Sequence, residues 1–297
     1  MEEPIPNKLK IITILSGKGG VGKSSISASL ALTLAKNNKI VAVDCDVDAS
    51  NLAILFGIKE FKISQKISTN LKAFVNDKAK DCKKIVDNCS FSAISWNEKK
   101  QIPEINKFLC EGCGVCRLLC PQGITLKKVK NAVIGEGQTK YGFSIISGQL
   151  EMGESGSGKV VSLVKERALK IAREQKAQYL IVDSASGIGC PVIASVRGSD
   201  YILAVTEPTP TAFRALKRVL AVVEHFGISY GIIINKWDLN KPFVAEIEKF
   251  AKDKKTEIIA KIPYDKKFIE AMIKMKPVVE MDSKYEKIFQ KIEKIVR

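Results

Sequence analysis

The sequence predicts a mostly parallel, doubly wound α/β sheet that is interrupted by a small inserted α+β domain. Two observations lead to this fold class. Short runs of β-branched and other apolar residues alternate with stretches of helical periodicity, and one segment rich in cysteine and lysine breaks that alternation. With 297 residues, of which 45% are hydrophobic, the chain can form one large domain or two ordinary ones with buried cores.

The alternation begins with a strand at "KIITILS" (10–16), a glycine-rich loop and a helix from 23 to 36. Further buried strands are predicted at 39–44, 179–183, 201–206, 230–235 and 257–262, with helical stretches such as 212–225 and 244–252 between the later ones. Strands that are apolar on both faces and joined by helices are typical of a parallel sheet covered on both sides.

The interruption covers residues 59–130 and holds six of the eight cysteines. It has 15 basic and 7 acidic residues, so its net charge of +8 is half of the chain's +16. We therefore expect a main domain formed by 1–58 and 131–297, with 59–130 inserted into it. The glycine-rich stretch 131–158 is expected to form a hairpin that returns the chain to the main sheet.

Charge and composition limit the possible locations and partners. Lysines are scattered through every segment, which favours a solvated basic surface over a nucleic-acid footprint. The first four residues are acidic and lack an apolar signal core, and no apolar run reaches the length of a membrane span. We expect a cytoplasmic protein, in which several cysteines at short spacing indicate metal ligands rather than disulfides.

A phosphate-binding loop is indicated at "GKGGVGKS", between the first predicted strand and helix. Gly17, Gly22, Lys23 and Ser24 match the pattern G-x-x-x-x-G-K-[ST], in which backbone N–H groups and the lysine hold phosphates while the hydroxyl binds Mg²⁺. The expected nucleotide contacts comprise Gly17, Lys18, Gly19, Gly20, Val21, Gly22, Lys23, Ser24 and Ser25.

The second residue of this loop, Lys18, is also a lysine, so the loop resembles that of the deviant Walker A ATPases, the family of MinD, ParA, Mrp-type carriers and the nitrogenase iron protein. The resemblance implies a P-loop ATPase whose hydrolysis depends on a homodimer. Lys18 would then reach the phosphates bound by the partner subunit and stabilise charge during phosphoryl transfer.

Three further segments carry the same resemblance. "VDCDVDASNL" (43–52) looks like switch I and implies that Asp46 lies near the attacking water, with Asp44 and Asp48 as alternatives. "LIVDSASGIGCP" (180–191) looks like Walker B and switch II, with Asp183 near Mg²⁺. Asn235 in "NKWD" is expected to contact the base. This motif could also be the N-K-x-D of GTPases, but the other motifs favour ATP.

The run C-x2-C-x2-C-x3-C-P at 110–121 is typical of bacterial ferredoxins and predicts a 4Fe-4S cluster in a ferredoxin-like insert, with zinc as the rival. In two-cluster ferredoxins the fourth cysteine of each run binds the other cluster. The same spacing laid on 79–89 leaves only Cys82 and Cys89. We expect one cluster, held by Cys110, Cys113, Cys116 and Cys89, with Cys120 as the alternative fourth ligand.

The predicted function is an ATP-hydrolysing protein whose nucleotide state gates a 4Fe-4S module, for electron transfer or for cluster assembly and delivery. The expected cofactors are ATP, Mg²⁺ and one 4Fe-4S cluster, and the expected partners are a second copy and an acidic redox protein or iron-sulfur client. The alternative is a ParA/MinD-type positioning ATPase that acts on DNA or membrane, with the cluster as a structural staple. Cys190 in switch II is either a functional thiol or a packed small residue.

Overall fold

Buried β-branched runs form the centre of the molecule, as the sequence predicts. The computed structural model describes residues 9–297, so the expectation drawn from residues 1–4 lies outside the described part. Two compact units are present: one comprises the residues up to Ser64, Ile134–Gln149 and Ser157–Arg297, and the other comprises Gln65–Val133 and Leu150–Gly156.

The larger unit is built on a nine-stranded sheet with the order β13-β12-β11-β1-β10-β2-β9-β8-β3. Its strands are β1 (Lys10–Ser16), β2 (Ile40–Cys45), β3 (Ile63–Ile67), β8 (Ala132–Gln138), β9 (Ser144–Leu150), β10 (Tyr179–Ser186), β11 (Tyr201–Thr206), β12 (Tyr230–Asn235) and β13 (Glu257–Ile262). The seven consecutive strands from β13 to β9 are parallel. The expected mostly parallel α/β sheet is therefore confirmed.

Helices cover both faces of this sheet. They are α1 (Lys23–Ala35), α3 (Ser157–Glu174), α4 (Cys190–Val196), α5 (Pro210–His225), α6 (Lys241–Asp253), α7 (Lys267–Ile273), α8 (Val278–Met281) and α9 (Lys284–Val296). Successive side chains of a strand point to opposite faces, so Ile14 packs in the core beneath α1 and α9, whereas Leu15 packs beneath α4, α5 and α6. The sheet is doubly wound for this reason.

The C-terminal helix α9 buries its apolar face in the main core. Tyr285, Phe289, Ile292 and Val296 are fully buried there. The amphipathic pattern of α9 therefore serves the core of the protein. Within residues 9–297, no helix combines the length and the apolar character that crossing a membrane requires.

The smaller unit is an α+β structure with two antiparallel strand pairs. Strand β4 (Asn70–Val75) pairs with β7 (Ile124–Val129), β5 (Ile94–Asn97) pairs with β6 (Ile102–Ile105), and a short helix α2 (Val115–Leu119) precedes β7. Its core contains Ala73, Ile85, Ile94 and Ile124.

The unit boundaries differ from those expected from composition. The division falls at residues 64/65 and 133/134 rather than 58/59 and 130/131, and Leu150–Gly156 packs with the smaller unit. The predicted hairpin is present as β8 and β9, and β9 joins the main sheet beside β2. The composition change marked the insert but not the segment that returns to it, because that segment contains neither cysteine nor lysine.

Candidate functional site

The glycine-rich loop lies between β1 and α1, at the carboxyl edge of the parallel strands, where ligands bind in open α/β sheets. Gly17 is pressed against helix α5, because a Cβ added there would lie 2.2 Å from the carbonyl oxygen of Ala215. Only glycine fits this contact. The loop opens on a cavity of 460 Å³ that is also lined by Asp46, Asn51 and Ser186.

Lys23 is buried and makes contacts with two acidic side chains, one in β10 and one directly after β2. Its Nζ donates to Oδ1 of Asp183 at 2.9 Å and lies 3.9 Å from Oδ2 of Asp46. Burial by itself would lower the pKa of Lys23, but the neighbouring carboxylates, Asp183 first, outweigh burial and raise the pKa. Lys23 is therefore a charged group, and its Nζ also lies 3.3 Å from the Ser24 hydroxyl.

Asp183 lies near the end of β10 and is fully buried. Its Oδ1 accepts hydrogen bonds from Lys23 and from the Ser27 hydroxyl at 2.9 and 2.7 Å, respectively. Its Oδ2 is buried and has no hydrogen-bond partner among the described residues. Buried carboxylate oxygens normally have a partner, so Oδ2 fits the role of accepting from water bound to a magnesium ion.

The three aspartates of residues 43–52 differ in burial: Asp44 is buried, Asp46 is partly buried and Asp48 is exposed. Asp44 is fully buried and accepts from the backbone N–H groups of Asp46, Asn51 and Leu52, and its burial raises its pKa to about 7. Asp44 thus holds the turn in shape. Asp46 faces the cavity, and burial also raises its pKa, although Lys23 opposes that effect. Asp46 both lines the cavity and places its Oδ2 3.9 Å from Lys23 Nζ.

Lys18 is held by a residue that the sequence analysis missed, Glu207, which directly follows β11. Lys18 Nζ donates to Oε1 of Glu207 at 3.2 Å, and Lys236 Nζ donates to Oε2 at 2.9 Å and to the Gly20 carbonyl at 3.1 Å. Burial would raise the pKa of Glu207, but the two lysines lower it. The sequence signal that could have identified Glu207 is its position directly after a predicted strand, in "VTEPTPTAF", since charged residues at strand ends of a parallel sheet lie at the ligand-binding edge.

Asn235 lies at the end of β12, below the phosphate loop. It is buried, its amide nitrogen donates to the Val21 carbonyl at 2.8 Å, and its Oδ1 has no partner among the described residues. Its contact with the base stays a prediction. In the same motif, Asp238 accepts from the Tyr264 backbone N–H at 2.6 Å, so one oxygen of the carboxylate needed for guanine selection is already bonded within the protein.

The cysteines of the smaller unit separate into two groups. Cys89, Cys110, Cys113 and Cys116 line one pocket. Cys120, the fourth cysteine of the motif, instead forms a disulfide with Cys82. The structure thus brings Cys89 to the three motif cysteines and places Cys120 in the core of the unit.

Backbone N–H groups point at two of the four pocket sulfurs. The Ala73 N–H donates to Cys110 Sγ at 3.5 Å and the Ala93 N–H donates to Cys89 Sγ at 3.4 Å. Burial raises the pKa of Cys116, and the nearby thiol groups of Cys110, Cys113 and Cys89 raise it further. A bound cation would relieve this repulsion between thiolates, since metal ligation favours the deprotonated form.

No group of three or more His, Cys, Asp or Glu side chains within residues 9–297 is arranged to hold a single metal ion. A zinc ion would need its sulfurs about 2.3 Å from one centre. A 4Fe-4S cube binds each thiolate through a different iron atom, so its ligands lie further apart around a wider pocket. Four cysteines line the pocket and two of their sulfurs accept backbone N–H groups, so the number of thiolates matches that of a 4Fe-4S cluster, and the cluster itself stays a prediction.

The other two cysteines lie in the larger unit. Cys190 is exposed at the start of α4, whereas Cys45 is fully buried at the end of β2, and burial raises its pKa to about 12. Cys45 is therefore a packing residue, in agreement with its position in an apolar strand.

Three comparisons bear on the family. The chain is similar to the uncharacterized protein MJ0578 of Methanocaldococcus jannaschii, with 41% identity over 77% of this chain and 79% of that protein. A stretch of 63 residues is 48% identical to the cytosolic Fe-S cluster assembly factor CFD1 of Phaeosphaeria nodorum, covering 21% of each chain. The fold resembles a chain of the MinC:MinD cell division protein complex of Aquifex aeolicus, with a TM-score of 0.58 and 20% identity over 96% of this chain and 95% of that chain.

The family model that describes the CobQ/CobB/MinD/ParA nucleotide binding domain matches residues 12–278. This range runs from β1 to α8 and therefore includes the phosphate loop, Asp46 and Asp183. The motif residues, the parallel sheet and the family model agree. The chain belongs to the CobQ/CobB/MinD/ParA nucleotide-binding family, as a P-loop ATPase of the MinD/ParA type.

Proposed function

We propose that the protein is a homodimeric ATPase whose nucleotide state gates one 4Fe-4S cluster, used for electron transfer or for cluster assembly and delivery. The observation that carries the proposal is the pocket shared by Cys89 and the three motif cysteines. Cys89 lies 21 residues before Cys110 in the chain, so its position in this pocket is a property of the fold and not of the motif.

The nucleotide half of the function rests on the buried charges below the phosphate loop. Phosphate oxygens would compete with Asp183 for the Lys23 ammonium, which is the natural partner of the terminal phosphates in this loop. Ser24 and Asp183 would hold Mg²⁺, which neutralises phosphate charge. Asp46 faces the same cavity and is the proposed residue near the attacking water, while Lys18 completes the site of the partner subunit.

The cluster half rests on the chemistry of the pocket. Four sulfurs satisfy the ligand count of a 4Fe-4S cluster, and N–H donors to sulfur tune its reduction potential. The partial similarity to an Fe-S cluster assembly factor supports this half. The basic charge of the insert favours an acidic redox protein or iron-sulfur client, because complementary charge accelerates encounter.

The first experiment compares Cys89→Ala with Cys120→Ala after purification without oxygen, by iron and sulfide content and by low-temperature EPR. We expect about four iron atoms per chain in the wild type and in Cys120→Ala, and loss of the cubane signal in Cys89→Ala. Loss only in Cys120→Ala would show that the motif closes on itself. A wild-type protein free of iron and sulfide would contradict the cluster altogether.

The second experiment tests the ATPase and the dimer. Lys18→Ala should bind ATP with unchanged affinity but lose about 10³-fold in turnover, because charge supplied across a subunit boundary acts on the transition state. Lys23→Ala should lose ATP binding. Wild-type turnover in Lys18→Ala would refute the contribution in trans. The positioning alternative predicts instead a DNA affinity that falls steeply with salt, which binding assays at 50 and 200 mM salt would reveal.

A further inference from the structure

The loop after β10 connects the nucleotide cavity to the start of helix α4. Ser186 lines the cavity, and its hydroxyl lies 3.3 Å from the hydroxyl of Ser16, the residue before the phosphate loop. The Gly187 N–H donates to the Ser16 carbonyl at 3.0 Å. Three residues later the chain reaches Cys190, so a change in this loop on nucleotide binding displaces the first turn of α4.

Helix α3 packs on the start of α4 and is hydrogen-bonded to its end. At the start, Gly158 packs so closely on Cys190 that an added Cβ would lie 2.7 Å from the Cys190 Cβ and 3.2 Å from its carbonyl carbon. At the other end, Lys165 Nζ donates to the backbone carbonyls of Ser195 and Arg197, the second at 2.7 Å. A movement of Cys190 would therefore press on Gly158 in the first turn of α3.

The residues just before α3 are hydrogen-bonded to the segment of the smaller unit that carries Cys110, Cys113 and Cys116, which we call the cysteine loop. The Ser155 hydroxyl donates to Oε2 of Glu111 at 2.8 Å, and Glu111 is the residue that follows Cys110. The Ser155 carbonyl accepts from the Asn70 side chain at 2.5 Å. These bonds hold Ser155 on the loop that carries the motif cysteines.

Neighbouring contacts reinforce this attachment. Glu154 Oε1 pairs at 2.8 Å with the buried Lys72, whose neighbour Ala73 donates its N–H to Cys110 Sγ. Gly156 has a φ of +90° and packs on Asn70, since an added Cβ would lie 2.5 Å from the Asn70 Oδ1. The segment before α3 is thus bonded to the cysteine loop through Glu111, and to Lys72, next to the residue whose N–H donates to Cys110 Sγ.

We propose that Ser155–Gly158 transmits the nucleotide state of the P-loop site to the cysteine loop, through the Gly158–Cys190 contact at one end and the Ser155–Glu111 hydrogen bond at the other. Gly156 and Ser157 separate the two anchored residues, a span of at most about 10 Å. In so short a connection, a displacement of Gly158 would be passed along the backbone to Ser155 and to the hydrogen bond that it donates to Glu111. The inference rests on the proposed function and names the route of its regulation.

Thermodynamic linkage makes the route measurable in two independent ways. If nucleotide binding changes the midpoint potential of the cluster, the oxidation state of the cluster must change the affinity for nucleotide by the equivalent factor. For a one-electron couple a tenfold ratio of affinities equals about 59 mV in midpoint potential. We expect the dissociation constants of a non-hydrolysable ATP analogue for oxidised and reduced wild-type protein to differ about tenfold, with a matching shift in potential.

The decisive variant lengthens the connection without removing a contact. Two glycines inserted between Gly156 and Ser157 should reduce the affinity ratio from about tenfold to less than twofold, while iron content and analogue affinity of the oxidised protein stay unchanged. The matched control is the same insertion between the exposed Lys254 and Lys255, which should keep the full ratio. Ser155→Ala, which removes one hydrogen bond, should reduce the ratio at least threefold.

The outcomes separate the route from the function it serves. A tenfold ratio that persists in both the Gly-Gly insertion and Ser155→Ala overturns the route and leaves the gated cluster intact. Equal affinities in oxidised and reduced wild type, with iron present, overturn nucleotide gating and the route with it. If the insertion variant does not load iron, Ser155→Ala decides, and an unchanged ratio in that variant refutes the inference.

Discussion

The contact between Lys18 and Glu207 predicts that the free subunit resists dimerisation. In the proposed dimer, Lys18 would reach the partner's phosphates only after leaving Glu207 Oε1, from which its Nζ is separated by 3.2 Å. Glu207 would still be paired with Lys236 at 2.9 Å, so the carboxylate is not left without a partner. The cost of release is therefore that of one partly exposed ion pair, about 0.2–1 kcal/mol.

This cost sets the magnitude of the prediction. An ion pair of about 0.2–1 kcal/mol changes an equilibrium by about 1.4- to 5-fold, and a dimer releases two of them, so its dissociation constant changes by about 2- to 30-fold. Glu207→Gln removes the charge and nearly keeps the shape. We expect the protein concentration at half-maximal ATPase activity to fall by this factor, with the limiting turnover within about twofold of wild type.

The assay measures ATPase rate per subunit against protein concentration and checks the dimer by sedimentation with a non-hydrolysable ATP analogue. Glu246→Gln, an exposed glutamate on α6, is the matched control for loss of one negative charge. An unchanged or higher half-maximal concentration in Glu207→Gln would refute the reasoning, because it would mean that Glu207 does not hold Lys18 back. A rate independent of concentration in the wild type would contradict the dimer itself.

Two further predictions concern stability. Burial lowers the pKa of Lys165 to about 8, so the unfolded state binds more protons above that pH and urea unfolding should show stability rising by about 1 kcal/mol from pH 8 to 9. Lys165→Met should abolish the rise. The opposing effect of Cys45 would remain, because its pKa is raised in the folded state and stability therefore falls above the pKa of the unfolded thiol, near 9. A wild-type stability that falls from pH 8 to 9 would contradict the assignment. Gly17→Ala should cost about 1–3 kcal/mol through overpacking against Ala215 and weaken ATP binding, and an unchanged denaturation midpoint would show that α5 yields at no cost.

Local sequence was sufficient for the sheet and the phosphate loop. The strands β1, β2, β10, β11, β12 and β13 overlap the predicted apolar runs, because a strand buried on both faces must be apolar throughout and this pattern is visible within six residues. Strand β3 was not predicted, and β8 and β9 were expected only as a hairpin. Lys23 lies at the start of α1 and Asp183 lies in β10, where their motifs predicted a helix start and a strand, and their roles in the reaction stay predictions. Their ion pair follows from β1 and β10 being neighbours.

The cysteines of the smaller unit show what the sequence left open and the tertiary structure decided. The 0, 3, 6, 10 spacing identified Cys89 and Cys120 as competing fourth ligands, but their distances from Cys110 depend on how the segments of the smaller unit pack around its core, which no local pattern encodes. The structure places Cys89 in the pocket and bonds Cys120 to Cys82. Whether iron binds there is the subject of the cysteine experiment.

Contacts between residues far apart in the chain were beyond the sequence for the same reason. Glu207 meets Lys18 across 189 residues, and Ser155 meets Glu111 across 44. Periodicity and motifs report on neighbours within one helix or loop, because they arise from backbone geometry that repeats every few residues. The sequence by itself therefore determined six strands of the main sheet and the position of the phosphate-loop motif, whereas only the packing of distant segments decided which charges hold Lys18 and which residues anchor the cysteine loop.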